Sequence, residues 1–168
     1  MGAAPGMDGG GHLSQTGPVT SRRSLGRRLT AGRVDVGAVA TFTGLCRGVT
    51  GSTTIGAMTL ETYEAMAMAE LGRIEAEARG RWPLQDVLIV HRHGRMEPGD
   101  NIVLVVTLSE HREAAFAAAE FLMDFLKTRA PFWKFEETGG EGAWVAAKEA
   151  DDAAATRWQA AEGGPGRS

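Results

Sequence analysis

Two lysines in the stretch LKTRAPFWKFE, residues 126–136, are the first side chains whose type and spacing could do chemistry. Lys127 and Lys134 lie seven positions apart, on either side of a proline and two aromatic residues. An amine that is crowded by other cations or partly desolvated has a lowered pKa and can act as a nucleophile or a general base. The alternative is a pair of solvated surface charges, because a charge near the end of a helix usually faces water.

Three further cationic side chains could bind an anion. His111 and Arg112 lie where a predicted strand runs into a predicted helix, and the free N–H groups of that helix start add positive potential. A surface turn is the alternative for this pair. Arg47 lies in the glycine-rich stretch 44–54, where little side-chain bulk separates it from a ligand. The stretch is no Walker motif, because it lacks the Gly-Lys-Ser/Thr ending that holds phosphates.

Two histidines and one cysteine are further candidates. His91 and His93 are two positions apart on a predicted strand and would point to the same face, as two metal ligands could. No third ligand is identified, which favours structural histidines. Cys46 is the only cysteine, so an intramolecular disulfide and a cysteine-built zinc site are excluded. It could act as a sulfur-carrying nucleophile if it were exposed in a positive environment.

Length, charge and hydropathy exclude several classes of protein. The 168 residues suit one domain, which we place at 21–160, between a tail at 1–20 that we expect to be disordered and a flexible tail at 161–168. A net charge of −3 gives no general attraction to nucleic acid or to anionic membranes. The longest apolar run, 102–108, is too short to span a bilayer, and the N-terminus lacks the apolar core of a secretory signal. We expect a cytoplasmic protein without a nucleic-acid or membrane partner.

The elements that must position these candidates follow from hydrophobic periodicity. Strands are predicted at 34–44, 54–63, 86–94 and 101–109. The last two are apolar on both faces, which predicts a sheet that is covered twice. A helix that ends before Pro83 carries a set of residues at helical spacing, namely Tyr63, Met66, Ala67, Leu71, Ile74 and Ala78.

A second helix follows Ser109, which we predict to be its N-cap. Its apolar stripe consists of Phe116, Ala119, Met123 and Leu126. Pro131 cannot continue the helix, so Lys127 falls in the last turn and Lys134 in an extended or loop segment beyond it. With a further amphipathic piece at 144–162, these elements predict an α+β fold.

Six motifs in this order resemble the catalytic large subunit of molybdopterin synthase, the MoaE family. They are FTGLCR at 42–47, LETYEAMA at 60–67, HRHG at 91–94, PGD at 98–100, HREAAF at 111–116 and LKTRAPFWKFE at 126–136. The most specific part is HR followed by AF and then LKxxxPxWKxE. The resemblance implies a single domain of the α/β hammerhead type, with a mixed or antiparallel sheet packed against helices.

The resemblance also implies an activity. In that family, a small ubiquitin-like sulfur-carrier subunit inserts a C-terminal Gly-Gly thiocarboxylate into a pocket of the large subunit. Its sulfur is transferred to cyclic pyranopterin monophosphate, and two transfers build the dithiolene of molybdopterin. The implied protein is therefore a sulfurtransferase of molybdenum cofactor biosynthesis that needs no cofactor. It would form a homodimer with one carrier at each end, a heterotetramer.

The family's functional residues can be carried over by position. Lys127 and Lys134 match its active-site lysines, Arg47 matches its loop arginine, and His111 with Arg112 matches its His-Arg pair. The resemblance thus gives the last three a substrate-binding role. We expect Lys127 to be the catalytic amine, and Lys134 to bind the substrate or the thiocarboxylate.

The resemblance gives a substrate-binding role to three further positions. Phe42 and Met123 match apolar pocket positions, and Lys148 stands where some relatives have an arginine. Phe135 departs from the family, because relatives often carry another basic residue there.

Two other functions stay open. A sulfurtransferase that uses Cys46 as a persulfide predicts that Cys46→Ser abolishes activity and Lys127→Ala does not. A non-catalytic module would bind a ubiquitin-like partner or a phosphorylated ligand without consuming thiocarboxylate.

Overall fold

The computed structural model describes residues 11–15, 29–138, 141–145 and 157–158. The strands and helices that lie wholly in these ranges are, in order, β1 Gly11–Gln15, β2 Ala38–Leu45, β3 Val49–Thr50, β4 Thr53–Thr54, β5 Ala57–Thr62, α1 Glu64–Arg81, β6 Leu84–Arg92, β7 Gly94–Met96, β8 Asn101–Ser109, α2 Arg112–Thr128, β9 Phe132–Thr138 and β10 Glu141–Val145. Residues 29–30 and 157–158 are also helical. The predicted α+β class is confirmed, and all four predicted strands are present.

One four-stranded sheet has the strand order β1-β6-β8-β2. β6, β8 and β2 are antiparallel, whereas β1 pairs with β6 in parallel, so the sheet is mixed. β1 lies within the tail predicted to be disordered. It pairs along β6, whose outer edge offers a row of backbone donors and acceptors.

The two central strands of this sheet are buried on both faces, as their apolar runs predicted. One face, represented by Ile89 and Val105, packs against α1 and α2. The other face, represented by Leu88 and Val106, is covered by Leu29 and Val36. Burying a side chain of this size contributes about 1.5–3 kcal/mol, so these strands hold much of the core.

A second four-stranded sheet is antiparallel and has the order β10-β9-β5-β7. Its apolar side chains form a smaller cluster with Cys46, made of Met58, Leu60 and Met96. The glycine-rich stretch predicted as a loop contains a short hairpin, β3 and β4. Gly51 lies at its turn with a φ of 60°, in the left-handed region that glycine adopts without strain.

The two helices lie where the sequence predicted them, but their buried faces differ from the predicted apolar stripes. Tyr63, Met66 and Phe116 are 65%, 47% and 66% exposed and lie outside the core. The buried face of α2 is instead centred on Ala118, Leu122 and similarly placed residues. Phe116 lies well to one side of that face, because each residue advances about 100° around the helix.

The predicted N-cap of α2 was wrong. Ser109 is the last residue of β8, and its hydroxyl donates to the carbonyl of Pro83 at 2.9 Å. His111 occupies the N-cap position and makes no side-chain capping bond. The sheet pairing of Ser109 with Ala38 extends the strand past the point where a cap would be needed.

The predicted amphipathic piece at 144–162 is described only at its first two residues and at 157–158. Trp144 and Val145 belong to β10 rather than to a helix. Trp158 packs edge-on against Trp82 and Phe121 at the helical layer, with ring centroids 5.6 and 5.4 Å away. Within the described residues, neither helix is long and apolar enough to cross a membrane.

Candidate active site

A cavity of about 620 Å³ lies where β2, the end of α2 and β9 meet. Its lining combines residues of both four-stranded sheets, of α2 and of the segment between β2 and β5, namely Phe42, Thr43, Gly44, Leu45, Arg47, Thr50, Ile55, Met58, Leu60, His91, Ile102, Val103, Met123, Leu126, Lys127, Phe132, Lys134 and Glu136. Five of the predicted site residues are among them. The sequence distance between these five shows that the fold, rather than any local motif, assembles the cavity.

β2 reaches the cavity through an irregularity in its pairing. The register between β2 and β8 shifts between Gly44 and Leu45, as at a β-bulge. A Cβ atom on Gly44 would lie 2.7 Å from Cγ1 of Val103, so the two strands can approach this closely only at a glycine. Phe42, two residues earlier on β2, is 42% exposed and contributes an aromatic wall.

Arg47 is held by the backbone of the residue before it. The amide of Cys46 donates to the carbonyl of Asp100 at 2.8 Å, and the amide of Gly99 donates to the carbonyl of Cys46 at 2.8 Å. These two bonds tie the loop that follows β2 to the turn before β8. The exposed Arg47 side chain therefore starts from a fixed backbone position at the cavity.

α2 brings Met123, Leu126 and Lys127 to the cavity, and Met123 and Leu126 also pack in or against the core. The helix is tied to the sheet near its start, where the buried hydroxyl of Thr107 donates to the carbonyl of Ala115 at 2.7 Å. Its last turn is closed by the hydroxyl of Thr128, which donates back to the carbonyl of Asp124 at 2.8 Å. Lys127 lies in that last turn, as predicted.

β9 supplies the second lysine. Phe132, Lys134 and Glu136 alternate along the strand and therefore share one face. Lys134 forms an ion pair with Glu136, and their side chains are 35% and 16% exposed. The chain between the two lysines is fixed by the hydroxyl of Thr62, which donates to the carbonyl of Pro131 at 2.7 Å. Pro131 and this bond turn the chain from helix to strand, so both amines reach one cavity.

His91 also lines the cavity, although the sequence suggested it only as half of a metal pair. It is buried near the end of β6, whereas His93 lies beyond the last residue of that strand. The prediction that both histidines lie on one strand was therefore wrong, and only His91 lines the cavity. Across the described ranges, no group of three or more histidine, cysteine or acidic residues could hold a metal.

His111 and Arg112 do not line this cavity. They lie at the opposite end of α2 from Lys127, and a helix of 17 residues is about 25 Å long. Both side chains are exposed, with the His111 ring 3.9 Å from a carboxylate oxygen of Glu110. Lys148, the remaining predicted residue, lies outside the described residues.

Cys46 is not placed for nucleophilic chemistry. It is 3% exposed, packs with apolar side chains and does not line the cavity. Burial raises the pKa of its thiol, with a further contribution from the carboxylate of Asp100. Both effects disfavour the thiolate that a persulfide mechanism needs.

The charges and surfaces of the cavity define what it could accommodate. Arg47, Lys127 and Lys134 bring three cationic side chains, against the single carboxylate of Glu136. Apolar side chains such as Phe42 line the rest of the cavity. A partly apolar, anionic ligand suits this combination, because its charge would meet several donors while its remaining surface is desolvated.

The sequence is similar to those of known proteins. A family model described as MoaE protein matches residues 18–129. A molybdopterin synthase catalytic subunit from Mesorhizobium japonicum is 60% identical over 133 residues, which cover 78% of this chain and 82% of that protein. The chain belongs to the MoaE family. The resemblance noted from the six sequence motifs is thereby confirmed.

Solved structures of MoaE-family proteins share the fold. The molybdopterin biosynthesis MoaE protein from Burkholderia ambifaria has a TM-score of 0.75 at 44% identity, covering 89% of this chain and 98% of that one. A complex of subunits 1 and 2 of molybdopterin-converting factor from Helicobacter pylori has a TM-score of 0.65 at 22% identity, covering 82% and 90%. At this lower identity, the likeness concerns the fold only.

Proposed function

We propose that this protein is the catalytic subunit of a molybdopterin synthase. It would transfer sulfur from the C-terminal thiocarboxylate of a small ubiquitin-like carrier subunit to cyclic pyranopterin monophosphate. The observation that carries this proposal is the meeting of Arg47, Lys127 and Lys134 in one cavity with the apolar side chains of Phe42 and Met123. Membership of the MoaE family supports the same activity.

The charges of the cavity suit both reactants. A cyclic phosphate and a thiocarboxylate are anions that repel each other, so they can meet only where several cations lie close together. Arg47 and Lys134 would bind the phosphate or the thiocarboxylate through charge-assisted hydrogen bonds. Lys127, at the end of α2, would be the amine that moves protons or attacks the carrier's acyl carbon.

The reaction balances without an oxidant or a reductant. In each transfer the carbon–sulfur bond of the thiocarboxylate breaks and the sulfur bonds to a carbon of the substrate. The carrier's carboxyl carbon takes an oxygen from water in place of the sulfur. On the substrate, one transfer displaces a phosphate oxygen from carbon, which opens the cyclic phosphate to a terminal phosphate, and the other transfer displaces an oxygen that leaves as water. Two such exchanges give a dithiolene and two carrier carboxylates, so two carrier molecules are consumed per product.

We also propose that a second copy of the chain supplies His111 and Arg112 to the cavity. These residues lie about 25 Å along α2 from Lys127 and cannot join the cavity of their own chain without unfolding the helix. A homodimer would resolve this separation. The test is to mix Lys127→Ala protein with Arg112→Ala protein, each inactive by itself. Mixed dimers would contain one intact site and regain up to about a quarter of wild-type activity by random pairing, whereas separate sites would stay inactive.

The function itself is tested by reconstitution. The protein is mixed with a thiocarboxylated carrier and cyclic pyranopterin monophosphate, and products are followed by mass spectrometry. We expect the dithiolene product together with carrier that has lost its sulfur. Stable carrier binding without loss of sulfur would instead favour the non-catalytic module. Retention of activity in Cys46→Ser would exclude the persulfide mechanism.

Three predictions from the sequence belong to this proposal. Lys148 would contribute a further cation to substrate binding. Residues 21–160 would form the one domain that carries the activity. The protein would work in the cytoplasm, and cell fractionation with an antibody to the chain tests that location.

A further inference from the structure

His91 is a polar side chain of the cavity to which the proposed reaction assigns no role. The residue is 6% exposed and lines the cavity between the two sheets. Its ring stacks on Phe132, with the ring centroids 3.8 Å apart and the planes 16° from parallel. Phe132 lies on the same face of β9 as Lys134, two residues away, which places His91 beside the substrate-binding lysine.

The hydrogen bonding of the ring defines its tautomer. Nδ1 lies 3.0 Å from the carbonyl oxygen of Arg92, which can only accept a hydrogen bond. Nδ1 therefore carries the proton and Nε2 keeps a lone pair. Burial lowers the pKa of His91 to about 4, so the ring is neutral at neutral pH. Within the part of the chain that the structure describes, no hydrogen bond engages Nε2.

His91 is one of few acceptors among the cavity side chains. Arg47, Lys127 and Lys134 are donors only, and the carboxylate of Glu136 is engaged by the ammonium of Lys134. The other acceptors are the hydroxyls of Thr43 and Thr50, which can also donate. A neutral imidazole adds an acceptor without adding a charge. Nδ1 is hydrogen-bonded and Phe132 covers one ring face. The Nε2 edge and the other ring face therefore remain available to a ligand.

We propose that His91 is a substrate-contacting residue whose Nε2 accepts a hydrogen bond from an N–H group of the heterocyclic part of the substrate. This inference rests on the proposed function, because a pterin-type ring carries N–H donors whereas its phosphate does not. The cations would bind the anionic end of the substrate, and His91 would select for the heterocycle. A site that pairs a substrate N–H discriminates against analogues that lack it.

Three substitutions separate this role from a structural one. His91→Gln carries an amide that reaches the Nε2 position, His91→Asn carries the same amide at the Nδ1 position, and His91→Phe keeps a stacking ring without nitrogens. A structural role in stacking makes Phe the mildest change, and a structural role through the bond to Arg92 makes Asn the mildest. Substrate contact through Nε2 makes Gln the mildest. His93→Gln is the matched control, because His93 does not line the cavity.

The experiment measures kcat and KM for cyclic pyranopterin monophosphate with thiocarboxylated carrier, and carrier affinity separately, for variants that unfold cooperatively. We expect KM to rise roughly tenfold in His91→Phe and His91→Asn, the effect of losing one buried hydrogen bond. KM should stay within about threefold of wild type in His91→Gln, and carrier affinity should stay unchanged throughout.

Wild-type KM in His91→Asn or His91→Phe would overturn the inference, as would an equal rise in all three variants. If His91→Phe does not fold, the order of Gln and Asn decides. Failure of the proposed function is distinguishable from these results, since the wild-type protein would then form no product.

Discussion

Removing the charge of Lys134 is expected to weaken substrate binding more than it slows the chemical step. A charge-assisted hydrogen bond contributes about 1.5–3 kcal/mol, which corresponds to about 10- to 150-fold in Kd. Because the Lys134 side chain is 35% exposed, water screens part of this energy, and the lower half of the range applies to the bond itself.

A second loss comes from Glu136, whose carboxylate keeps its charge when its partner is removed. Two like charges about 6 Å apart repel by about 3 kcal/mol at an effective dielectric constant near 20, before screening by salt. The carboxylate would then oppose the anionic substrate. Screening at physiological salt, where the Debye length is about 8 Å, roughly halves this repulsion to about 1.4 kcal/mol, or about tenfold. With about tenfold more from the lost bond, we expect KM to rise roughly 100-fold in Lys134→Met, which keeps the length and apolar body of the side chain.

A double-mutant cycle isolates the two contributions. KM and kcat are measured for Lys134→Met, Glu136→Gln and the double variant, with thermal unfolding as the control for folding. The double variant should recover about tenfold of the lost affinity, because the neutral amide that replaces the carboxylate no longer repels the substrate. A double variant no better than Lys134→Met would refute the electrostatic reasoning. Abolished turnover with unchanged KM in Lys134→Met would reverse the roles assigned to the two lysines.

Other predictions concern the amine, the bulge and the buried histidine. Lys127→Ala should lower kcat by about 10²- to 10⁴-fold and leave KM within a few-fold of the wild-type value, with single-turnover assays to measure the chemical step. An unchanged kcat would exclude Lys127 as the catalytic amine. Gly44→Ala should lower the free energy of unfolding by about 1–3 kcal/mol in urea titrations, because its Cβ would lie 2.7 Å from Val103; an unshifted midpoint would contradict this. His91 has a pKa of about 4 in the folded protein and near 6.5 when unfolded, so the unfolded state binds the proton first as pH falls. The free energy of unfolding should therefore fall by about 3 kcal/mol between pH 6.5 and pH 4 in the wild-type protein, and His91→Phe should lack this contribution. Parallel plots of the free energy of unfolding against pH for the two proteins would contradict it.

Much of the fold follows from local sequence signals. The apolar runs at 86–94 and 101–109 predicted two central strands covered on both faces, and β6 and β8 are buried in that way. Pro131 predicted the end of α2, which stops at Thr128. These features depend on side-chain hydrophobicity and on the missing N–H of proline, which act within a few residues.

Other features depend on tertiary contacts that the sequence does not display. Phe116 has the hydrophobicity of a core residue, yet its angular position on α2 leaves it exposed, and Ala118 takes the buried position. Ser109 is a good helix N-cap by type, but its strand pairing continues through it. In both cases the packing of one element against another outweighs the preference of a single residue.

Some residues of the site were predicted from local motifs, and others were not. Lys127 and Lys134 were identified from a local motif, whereas Arg47 and Phe42 join them in one cavity through the tertiary pairing of β2 with β8. His91 and Glu136 were not predicted as cavity residues. The alternation of β9 carries a signal for Glu136, since it lies two positions after Lys134 on the same strand face.

The most direct test of the central claim is the conversion of cyclic pyranopterin monophosphate by the purified protein and a cognate thiocarboxylated carrier. Mass spectrometry should show a product that carries two sulfur atoms and an opened, terminal phosphate, with two carrier carboxylates formed per product. Lys127→Ala, correctly folded and able to bind carrier, should form product at least about 100-fold more slowly than the wild-type protein. Absence of product with well-folded wild-type protein, or full activity in Lys127→Ala, would contradict the assignment of this cavity as the site of sulfur transfer.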